Sequence, residues 1–420
     1  NYSVYCLNLL QFCCNLTHKM KKILTFLLVF ILNLTIHSEE IKTISPDGNI
    51  EINFRLSAKG EPEYRISYNN ENFLSWSKLG LNFVESGKLT SGMQVVEVTS
   101  RTIDETYRIY SGKSKYSRNN CNETKVSLIE KSSPNRKLDI YLRAYNDGAA
   151  FRYGIPVQEN LSSFMISTEE TYYNFSGDYK CWAMKKDRFR HSYEGEYREY
   201  NLSNINNKPG DSTSYFPYIT LPLTMKMNDG LYISVSEANI TNYPGMHLTK
   251  QDGYTLKSKL APDSLKKNIS VRGNTPAVSP WRLFIIGSRP GALIESNLIM
   301  NLNDPNKIPD AESWIKPGKS TWSWWAEDRG FDPSFGYHIL STKTVKYYID
   351  FAAANNFQYV TLDGGWYGWF DATKDDAVHD ITKSLPELDL PEVTRYAESK
   401  GIGIILWVVW YELERQMKEA

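Results

Sequence analysis

The spacing of apolar residues changes near residue 321, and this change limits the folds that the chain can adopt. From about Ile41 to Ile294, short segments such as NIEINFRLS and GLYISVSEANI alternate apolar with polar residues, and Gly, Asn, Asp and Pro separate them. This alternation predicts half-buried β-strands. Strands at this density over about 250 residues, with no long helical pattern among them, predict a large antiparallel sandwich.

From Thr321 onwards, apolar strand segments alternate with helical segments. The strand segments are TWSWW, FQYVTLD and IGIILWVVW, and the helical segments are STKTVKYYIDFAAANN, LPEVTRYAESKG and YELERQMKEA. Ser341 or Thr342 is a candidate cap for the first helix, and Gly401 stands where the second helix would end. Strands that are apolar throughout are typical of parallel sheets covered by helices. A TIM barrel or a doubly wound sheet fits this pattern. No Gly-x-Gly-x-x-Gly or phosphate loop is present, which disfavours nucleotide-binding folds.

The parallel part contains three β/α units, whereas a TIM barrel needs eight. We therefore interpret the chain as the N-terminal part of a longer protein with a multidomain β plus α/β fold. Residues 41–297 are expected to form the antiparallel sandwich, and residues 298–318, which include several prolines, a linker. Residues 319–420 are expected to form the first part of a (β/α)8 barrel.

The segment MKKILTFLLVFILNLTIHSEE, which begins at Met20, has the pattern of a secretory signal. Two lysines precede an apolar run that is too short to span a membrane. We expect residues 20–38 to be a signal peptide, the protein to be periplasmic or secreted, and the mature chain to lack a membrane span. Residues 1–19 are Cys-rich and contain no Met, and we interpret them as translated upstream sequence.

Composition excludes some partners and leaves others open. The chain carries 48 basic and 48 acidic residues, so nothing in its net charge favours nucleic acid or an anionic membrane surface. It contains 28 Tyr, 17 Phe and 11 Trp. Such rings stack on sugars, but they also fill β-rich cores. After Met20 the cysteines are Cys121 and Cys181, which could form one disulfide and have no zinc-site spacing.

Tryptophans and an aspartate stand at the ends of the three predicted parallel strands. Trp324 and Trp325 follow the first strand, Asp363 and Trp366 the second, and Trp407 the third. In a parallel α/β barrel, functional side chains lie at the C-terminal strand ends. The pattern therefore predicts a sugar-binding rim, with Asp363 as an acceptor for sugar hydroxyls. The alternatives are a helix N-cap for Asp363 and a plug of the barrel end for each tryptophan.

Other acidic residues allow weaker inferences. The segment HSYEGEYREYN contains Glu194, Glu196 and Glu199. Clustered carboxylates suit Ca²⁺, but the spacing is not that of an EF-hand, and by itself it favours a solvated charged loop. A glycosidase needs two carboxylates across the scissile bond. Asp363 and Glu412 could face one site, but the sequence does not fix their separation.

The order of several longer motifs resembles that of glycoside hydrolase family 97. The motifs are SYEGEY (192–197), LPLTMKMNDGLYISVSEANITNYPGM (221–246), SPWRLFIIGSRPGALIESNLIMNLNDP (279–305), WIKPGKSTWSWW (314–325), YVTLDGGWY (359–367), and GIIL before Trp407. The resemblance covers nearly the whole mature chain. It implies an exported α-glucosidase or α-galactosidase that acts on oligosaccharides. It also implies an N-terminal β-super-sandwich, a catalytic (β/α)8 barrel and a C-terminal all-β domain.

The resemblance also implies roles for individual residues. Family members bind Ca²⁺ near the active site through glutamates, one of which lies in a Tyr-Glu-x-x-Tyr motif of the N-terminal domain. Tyr193, Glu194 and Tyr197 match this motif, so the resemblance makes Glu194 a candidate calcium ligand. Asp363 matches the strand-2 aspartate that holds substrate hydroxyls in related barrels.

The catalytic carboxylates implied by the resemblance are expected beyond Ala420. Inverting members use two glutamates and retaining members an aspartate after strand 4, so the sequence leaves the mechanism open. We expect the 420-residue chain to be inactive by itself. Gly364 departs from the Asp-Glu-Gly-Trp of the α-glucosidases, so the sequence also leaves glucose and galactose specificity open. The alternative function is a non-catalytic carbohydrate-binding fragment or pseudoenzyme. The sequence does not indicate an oligomeric state.

Overall fold

The computed structural model describes residues 40–205, 216–227, 230–324, 340–368 and 379–420. The described residues form two compact units, of which the N-terminal one ends at Asn306 and the C-terminal one begins at Lys307. The segments interpreted as upstream sequence and signal peptide lie outside the described residues. No helix in the described ranges is both long enough and apolar enough to cross a membrane.

The N-terminal unit is built mainly from β-strands, as the alternating sequence pattern predicts. In chain order, its strands are β1 (Ile41–Ile44), β2 (Ile50–Leu56), β3 (Pro62–Tyr68), β4 (Glu71–Lys78), β5 (Leu81–Phe83), β6 (Gly87–Leu89), β7 (Met93–Arg108), β8 (Tyr116–Glu130), β9 (Lys137–Tyr145), β10 (Gly148–Ile155), β11 (Ser163–Glu169), β12 (Tyr172–Asn174), β13 (Lys180–Ala183), β14 (Lys185–Lys186), β15 (Arg198–Asn201), β16 (Tyr218–Ile219), β17 (Leu223–Lys226), β18 (Tyr232–Ala238), β19 (Met246–Lys250), β20 (Thr255–Leu260), β21 (Val271–Asn274), β22 (Ala277–Val278) and β23 (Trp281–Gly287). Its helical segments are a 3₁₀ turn at Leu202–Asn204, α1 (Pro290–Glu295) and α2 (Leu298–Asn301).

These strands form one large and three smaller antiparallel sheets. The large sheet has ten strands, in the order β15-β13-β17-β18-β23-β10-β9-β8-β7, with β22 pairing with β10. The smaller sheets have the orders β1-β2-β3-β4, β21-β11-β5-β6 and β12-β20-β19-β16-β14. The described pairings among them are antiparallel, as the sequence predicts. The late strand β23 lies between β18 and β10, so it joins two parts of the sheet.

The large sheet and all three smaller sheets contribute to one hydrophobic core. Phe54 and Tyr64 come from the first small sheet, Phe164 from the second, Tyr173 from the third and Phe151 from the large sheet. The rings of Tyr64 and Phe151 lie 4.4 Å apart. Burial of each such side chain contributes about 1.5–3 kcal/mol to folding, so this shared core holds the sheets together.

A buried charge network lies near the start of β23. The guanidinium of Arg282 donates from Nη2 to Glu169 Oε1 at 2.5 Å and from Nη1 to Glu237 Oε2 at 2.6 Å. Arg282 and Glu169 are both inaccessible to solvent. Burial alone would lower the pKa of Arg282, but the two carboxylates beside it raise this pKa above its usual value. The ion pair therefore stays charged inside the protein.

Cys121 and Cys181 are both free thiols in the structure. Cys121 lies on β8 in a small secondary core, whereas Cys181 lies on β13 in the main core. Burial raises the pKa of the Cys121 thiol, and it raises that of Cys181 to about 12. The disulfide that the sequence allowed is therefore not formed, and both thiols are unreactive at neutral pH.

The C-terminal unit contains the parallel sheet that the sequence predicts. Its strands are β24 (Ser320–Trp322), β25 (Tyr359–Leu362) and β26 (Gly403–Leu406), and its helices are α3 (Ala311–Trp314), α4 (Thr342–Ala354), α5 (Leu390–Ser399) and α6 (Trp410–Arg415). The order β24-β25-β26 is parallel at both pairings. The Ser341 hydroxyl caps α4 by accepting from Thr344 N at 3.2 Å. The predicted alternation of strands and helices is confirmed.

The helices α4 and α5 pack on the parallel sheet through their predicted apolar faces. Val345 and Ile349 of α4 share a core with Val360 of β25 and Val393 of α5. Strand β26 ends at Leu406 and is shorter than the predicted segment IGIILWVVW, since α6 begins at Trp410. The segments that follow β25 and β26 therefore leave the sheet early, and they carry the candidate site.

Candidate functional site

The end of β25 places a carboxylate between two hydrogen-bond donors. Asp363 follows the strand and caps a 3₁₀ turn at Gly364–Trp366, where its Oδ1 accepts from Gly364 N at 2.7 Å. Its Oδ2 accepts from the indole Nε1 of Trp322 at 2.6 Å. Its backbone N–H donates to Ser323 Oγ at 3.1 Å. Two neighbouring parallel strands thus hold the Asp363 side chain in one orientation.

This geometry combines the two sequence interpretations of Asp363. Asp363 is a helix N-cap, which was the alternative considered, yet each carboxylate oxygen has a further lone pair that can accept a hydrogen bond. The sequence did not identify Trp322 as the partner of Asp363. The parallel register pairs Trp322 with Thr361, two residues before Asp363, so an in-register alignment of the strands could have suggested the contact.

Trp366 lies in the core of the unit, which differs from the expected position at the rim. Its side chain is 3% exposed, and its indole Nε1 donates to Trp407 O at 2.8 Å. The backbone N–H of Trp407 donates to Leu362 O at 2.9 Å. The turn after β25 points the Trp366 ring inward, so its face is not available to stack on a ligand. Trp366 instead fixes the backbone that carries Trp407.

Three other tryptophans at these strand ends expose their rings. Trp322 is 41% exposed, Trp324 48% and Trp407 40%. Trp325, which was also predicted to bind substrate, lies outside the described residues. Exposed indoles next to a fixed carboxylate provide apolar faces and a hydroxyl acceptor in one region of the unit.

The Trp407 ring leaves no space for a side chain at residue 364, where the sequence has glycine. A Cβ atom added at Gly364 would lie 2.7 Å from Cζ3 and 3.0 Å from Cε3 of Trp407. Such distances are well below normal van der Waals contact, so Trp407 occupies the space that a side chain at residue 364 would need. The departure from Asp-Glu-Gly-Trp at Gly364 therefore does not open free space at this position, because the Trp407 indole fills it.

We expect Gly364→Ala to destabilise the chain by about 1–3 kcal/mol, because the added methyl group must displace the Trp407 ring. Urea unfolding followed by tryptophan fluorescence would measure this change. In a Trp407→Ala background the same substitution should cost much less, because the overlap is absent. Gly365→Ala is the control, since its Cβ would lie 3.4 Å from Leu340 in ordinary contact. Equal costs with and without the indole would contradict the assignment.

Glu412 is a structural acid in this unit. It lies on α6 with 1% of its surface exposed. Its Oε1 accepts from His379 N at 3.3 Å, and its Oε2 accepts from Gln416 Nε2 at 3.4 Å. The bond from His379 connects α6 with the segment before α5, and the bond from Gln416 lies at the end of α6. We therefore do not pair Glu412 with Asp363 as catalytic groups.

Glu194 is exposed in the N-terminal unit, and its carboxylate has no partner among the described residues. Of the neighbouring glutamates, Glu196 pairs with Arg198 at 3.4 Å and Glu199 with Lys180 at 2.7 Å. The described residues contain no group of three or more potential metal ligands. A free carboxylate suits a hard cation, so the assignment of Glu194 as a calcium ligand stays a prediction.

His191, three residues before Glu194, contacts His247. His191 Nε2 and His247 Nε2 are 3.1 Å apart, and His191 Nδ1 accepts from Tyr193 N at 3.1 Å. Because Nδ1 of neutral His191 is an acceptor, its proton is on Nε2, which donates to His247. His247 is buried, and its Nδ1 has no partner among the described residues. A second proton on this pair is therefore unfavourable.

We expect this pair to make the folded chain sensitive to acid. Burial, with a further effect of His191, lowers the pKa of His247 from an ordinary value of about 6.5 to about 4. Between these values the unfolded chain binds more protons, so the free energy of unfolding falls as the pH falls from 6.5 towards 4. The expected contribution between pH 7 and pH 5 is about 2 kcal/mol, measurable by urea unfolding. His247→Gln should lose this part of the pH dependence, and an unchanged slope would exclude His247 as its source.

Comparison with known families covers both units. Residues 44–305 match the family described as Glycosyl-hydrolase 97 N-terminal, and residues 324–420 match Glycoside hydrolase 97. The chain belongs to glycoside hydrolase family 97. The resemblance inferred from the motif order is thus confirmed, and the family 97 match extends over the segments that carry Glu194, Asp363 and Trp407.

Curated relatives of this family 97 chain are named as α-galactosidases. It is 29% identical to a retaining alpha-galactosidase of Bacteroides thetaiotaomicron, over 96% of this chain and 60% of the relative. It is 24% identical to a probable retaining alpha-galactosidase of Streptomyces bingchenggensis, over 83% of this chain and 49% of the relative. The chain thus spans about half to three-fifths of the length of these relatives.

Solved structures share the fold of the family 97 chain. A family 97 enzyme from Pseudoalteromonas sp. strain K8, in complex with acarbose, matches with a TM-score of 0.79 and 26% identity, over 90% of this chain and 56% of the other. A variant family 97 enzyme from the same strain is also known in complex with panose. A beta-arabinopyranosidase matches with a TM-score of 0.70 and 22% identity, over 87% of this chain and 55% of the other, which shows the fold alone.

Proposed function

We propose that this family 97 chain is part of an exported retaining α-galactosidase that hydrolyses oligosaccharides. The observation that carries the proposal is the carboxylate of Asp363, which two donors fix at the end of β25 beside exposed indoles. Family membership and the names of the two curated relatives support the reaction type. Export rests on the signal-like sequence of residues 20–38.

We propose that the carboxylate of Asp363 accepts hydrogen bonds from substrate hydroxyl groups. Its two oxygens keep lone pairs that are not used by Gly364 or Trp322, and a hydroxyl that donates to a carboxylate forms a charge-assisted bond. The faces of Trp324 and Trp407 are proposed to contact the apolar face of the sugar. Trp325 is also proposed to contact the sugar, and this proposal is based only on its position in the sequence.

The parallel sheet is proposed to be the beginning of a (β/α)8 barrel, and the antiparallel unit to be a β-super-sandwich. Retaining hydrolysis needs two carboxylates about 5–5.5 Å apart, one as nucleophile and one as acid and base. Asp363 serves as a cap and Glu412 is buried in contacts with its own unit. We therefore assign neither of these two residues as nucleophile or acid.

Turnover of an aryl α-galactoside and of an aryl α-glucoside tests the reaction and the specificity together. We expect hydrolysis of the galactoside by the enzyme of which this chain forms part. Preference for the glucoside would instead favour an α-glucosidase, a candidate suggested by the structural neighbours in complex with acarbose and with panose. Affinity electrophoresis in gels that contain starch-like or galactose-containing glycans identifies a third outcome. In that case the protein binds sugar without turnover and acts as a carbohydrate-binding fragment or pseudoenzyme.

We further propose that Glu194 contributes to a calcium site, with its other ligands outside the set of described residues. Glu194→Gln removes the charge of an exposed carboxylate that has no described partner, and we expect Ca²⁺ affinity to fall by at least about tenfold. Calorimetric titration with Ca²⁺ measures this change. Glu196→Gln is the matched control, since Glu196 is also exposed but pairs with Arg198. Equal affinities of wild type and Glu194→Gln would remove Glu194 from the site.

A further inference from the structure

A cleft in the N-terminal unit lies among β21, β22 and the turn at residues 239–245. It has a volume of about 630 Å³, and its floor includes the buried side chains of Tyr153, Phe164 and Ile166. A neighbouring hollow of about 570 Å³ shares Tyr243 and Arg272 with it, along with two other residues. The two hollows therefore adjoin, and together they are called the cleft. Each volume lies within the range of small-molecule sites, about 300–1,000 Å³.

The charged groups of this cleft are already engaged. Arg272 pairs with Asp263 at 3.1 Å, and Asp304 has a partner within the protein. The remaining described residues around the two hollows are uncharged. A cleft without unpaired charge favours a neutral ligand, because burial of a charged ligand without a counter-ion is costly.

Four neutral polar side chains line the larger hollow, and three of them are exposed to solvent. Asn239, Thr241, Asn242 and Asn274 line the cleft, and none of the four has a side-chain hydrogen bond to another described residue. An amide can both donate and accept, and so can a hydroxyl. These groups can therefore bind a ligand that carries several hydroxyls, without loss of any bond within the protein.

Two aromatic side chains give the cleft an apolar surface. Tyr243 Oη donates to Glu169 at 2.8 Å, which turns the hydroxyl into the protein and fixes the ring. The Phe164 ring lies across Gly273, where an added Cβ would lie 2.5 Å from Phe164 Cζ. Fixed rings together with partner-free amides and a hydroxyl match a molecule with apolar faces and hydroxyl edges, which is the chemistry of a pyranose.

We propose that this cleft is a second carbohydrate site, which binds neutral oligosaccharides of the substrate class in a different unit from Asp363. The choice of oligosaccharide rests on the proposed function. The cleft is a binding site without catalysis, because both carboxylates in its lining, Asp263 and Asp304, are already engaged within the protein.

Calorimetric titration of the 420-residue chain with stachyose and with maltotetraose tests this proposal. We expect two binding events for one of these probes. The rim variant Thr241→Ala/Asn274→Ala should weaken one event about tenfold, because each lost hydrogen bond contributes about 0.5–1.5 kcal/mol. Both side chains are exposed and lack partners in the protein, so their removal should leave the unfolding midpoint unchanged. Asn72→Ala is the matched control, an exposed strand asparagine outside the cleft.

Asp363→Asn separates this proposal from the proposed function. If the cleft binds sugar, Asp363→Asn removes one event and retains the event that the rim variant weakens. A single event that disappears in Asp363→Asn and is unaffected in the rim variant overturns the cleft and leaves the Asp363 site standing. A single event that is weakened by the rim variant alone supports the cleft and counts against Asp363. Absence of any binding overturns both.

Discussion

Asp363→Asn is expected to lower sugar affinity, and kcat/KM where turnover is measured, by about 10- to 100-fold. A hydrogen bond to a charged acceptor contributes about 1.5–3 kcal/mol, and the substitution removes the charge. The amide also cannot accept from both Gly364 N and Trp322 Nε1, since one of its two positions becomes a donor. The side chain therefore loses its orientation as well as its charge. Calorimetric titration with an α-galactosyl oligosaccharide measures the effect.

Asp389→Asn is the matched control for this experiment. Asp389 caps α5 by accepting from Glu392 N at 2.8 Å, so it serves the same local role in the same unit. Asparagine caps a helix about as well as aspartate, so Asp389→Asn should change stability little. If the two variants have the same small effect on affinity, Asp363 is a structural cap and the proposed role in sugar binding is wrong.

Arg282→Met is expected to lower the free energy of unfolding by about 3–5 kcal/mol. The substitution leaves Glu169 buried without its cation, and a buried unpaired charge is among the most costly defects in a protein. Glu237 also loses its pairing, although its other oxygen still accepts from Met246 N at 2.9 Å. Urea unfolding at neutral pH measures the change.

Arg118→Met separates the effect of burial from that of the ion pair. Arg118 forms a two-bond pair with Asp104, with both N–O distances at 2.8 Å, but both side chains are about half exposed or more. Its loss should lower the free energy of unfolding far less than the loss of Arg282, because solvent screens an exposed pair. Adding Glu169→Gln to Arg282→Met should restore part of the stability, because the stranded charge is removed. A cost for Arg282→Met as small as that for Arg118→Met would mean that the buried pair is not coupled to folding.

The sequence predicted those features that depend on local pattern. Apolar alternation gave the antiparallel unit, and Ser341 and Gly401 were identified at the ends of their helices, with Gly401 at a positive φ of 72°. The position of Asp363 followed from the rule that parallel strands carry functional residues at their C-terminal ends. In each case the relevant residues lie close together in the chain.

The sequence could not predict features that depend on distant partners. Trp366, Trp407 and Trp324 look equivalent in the sequence, and the inward position of Trp366 depends on a carbonyl 41 residues away. Arg282 lies in the apolar strand WRLFIIG, and its burial is possible because Glu169 lies 113 residues earlier. For the same reason the sequence could indicate Glu194 as a candidate calcium ligand but could not indicate which residues would share a site with it.

The position of β23 has a consequence for the order in which the chain can fold during synthesis. Strands β7 to β10 can pair as a meander as soon as they are made, because each pairs with its neighbour in the chain. The other edge of β10 stays unpaired until β23 has been made. The two strands are more than a hundred residues apart in the chain, as the pair Gly148 and Ile285 shows. Until residue 287 has left the ribosome, β10 and β18 both present open edges that could pair with other chains. A chaperone or translocation machinery that keeps β10 and β18 from pairing with other chains until then would protect the protein from aggregation.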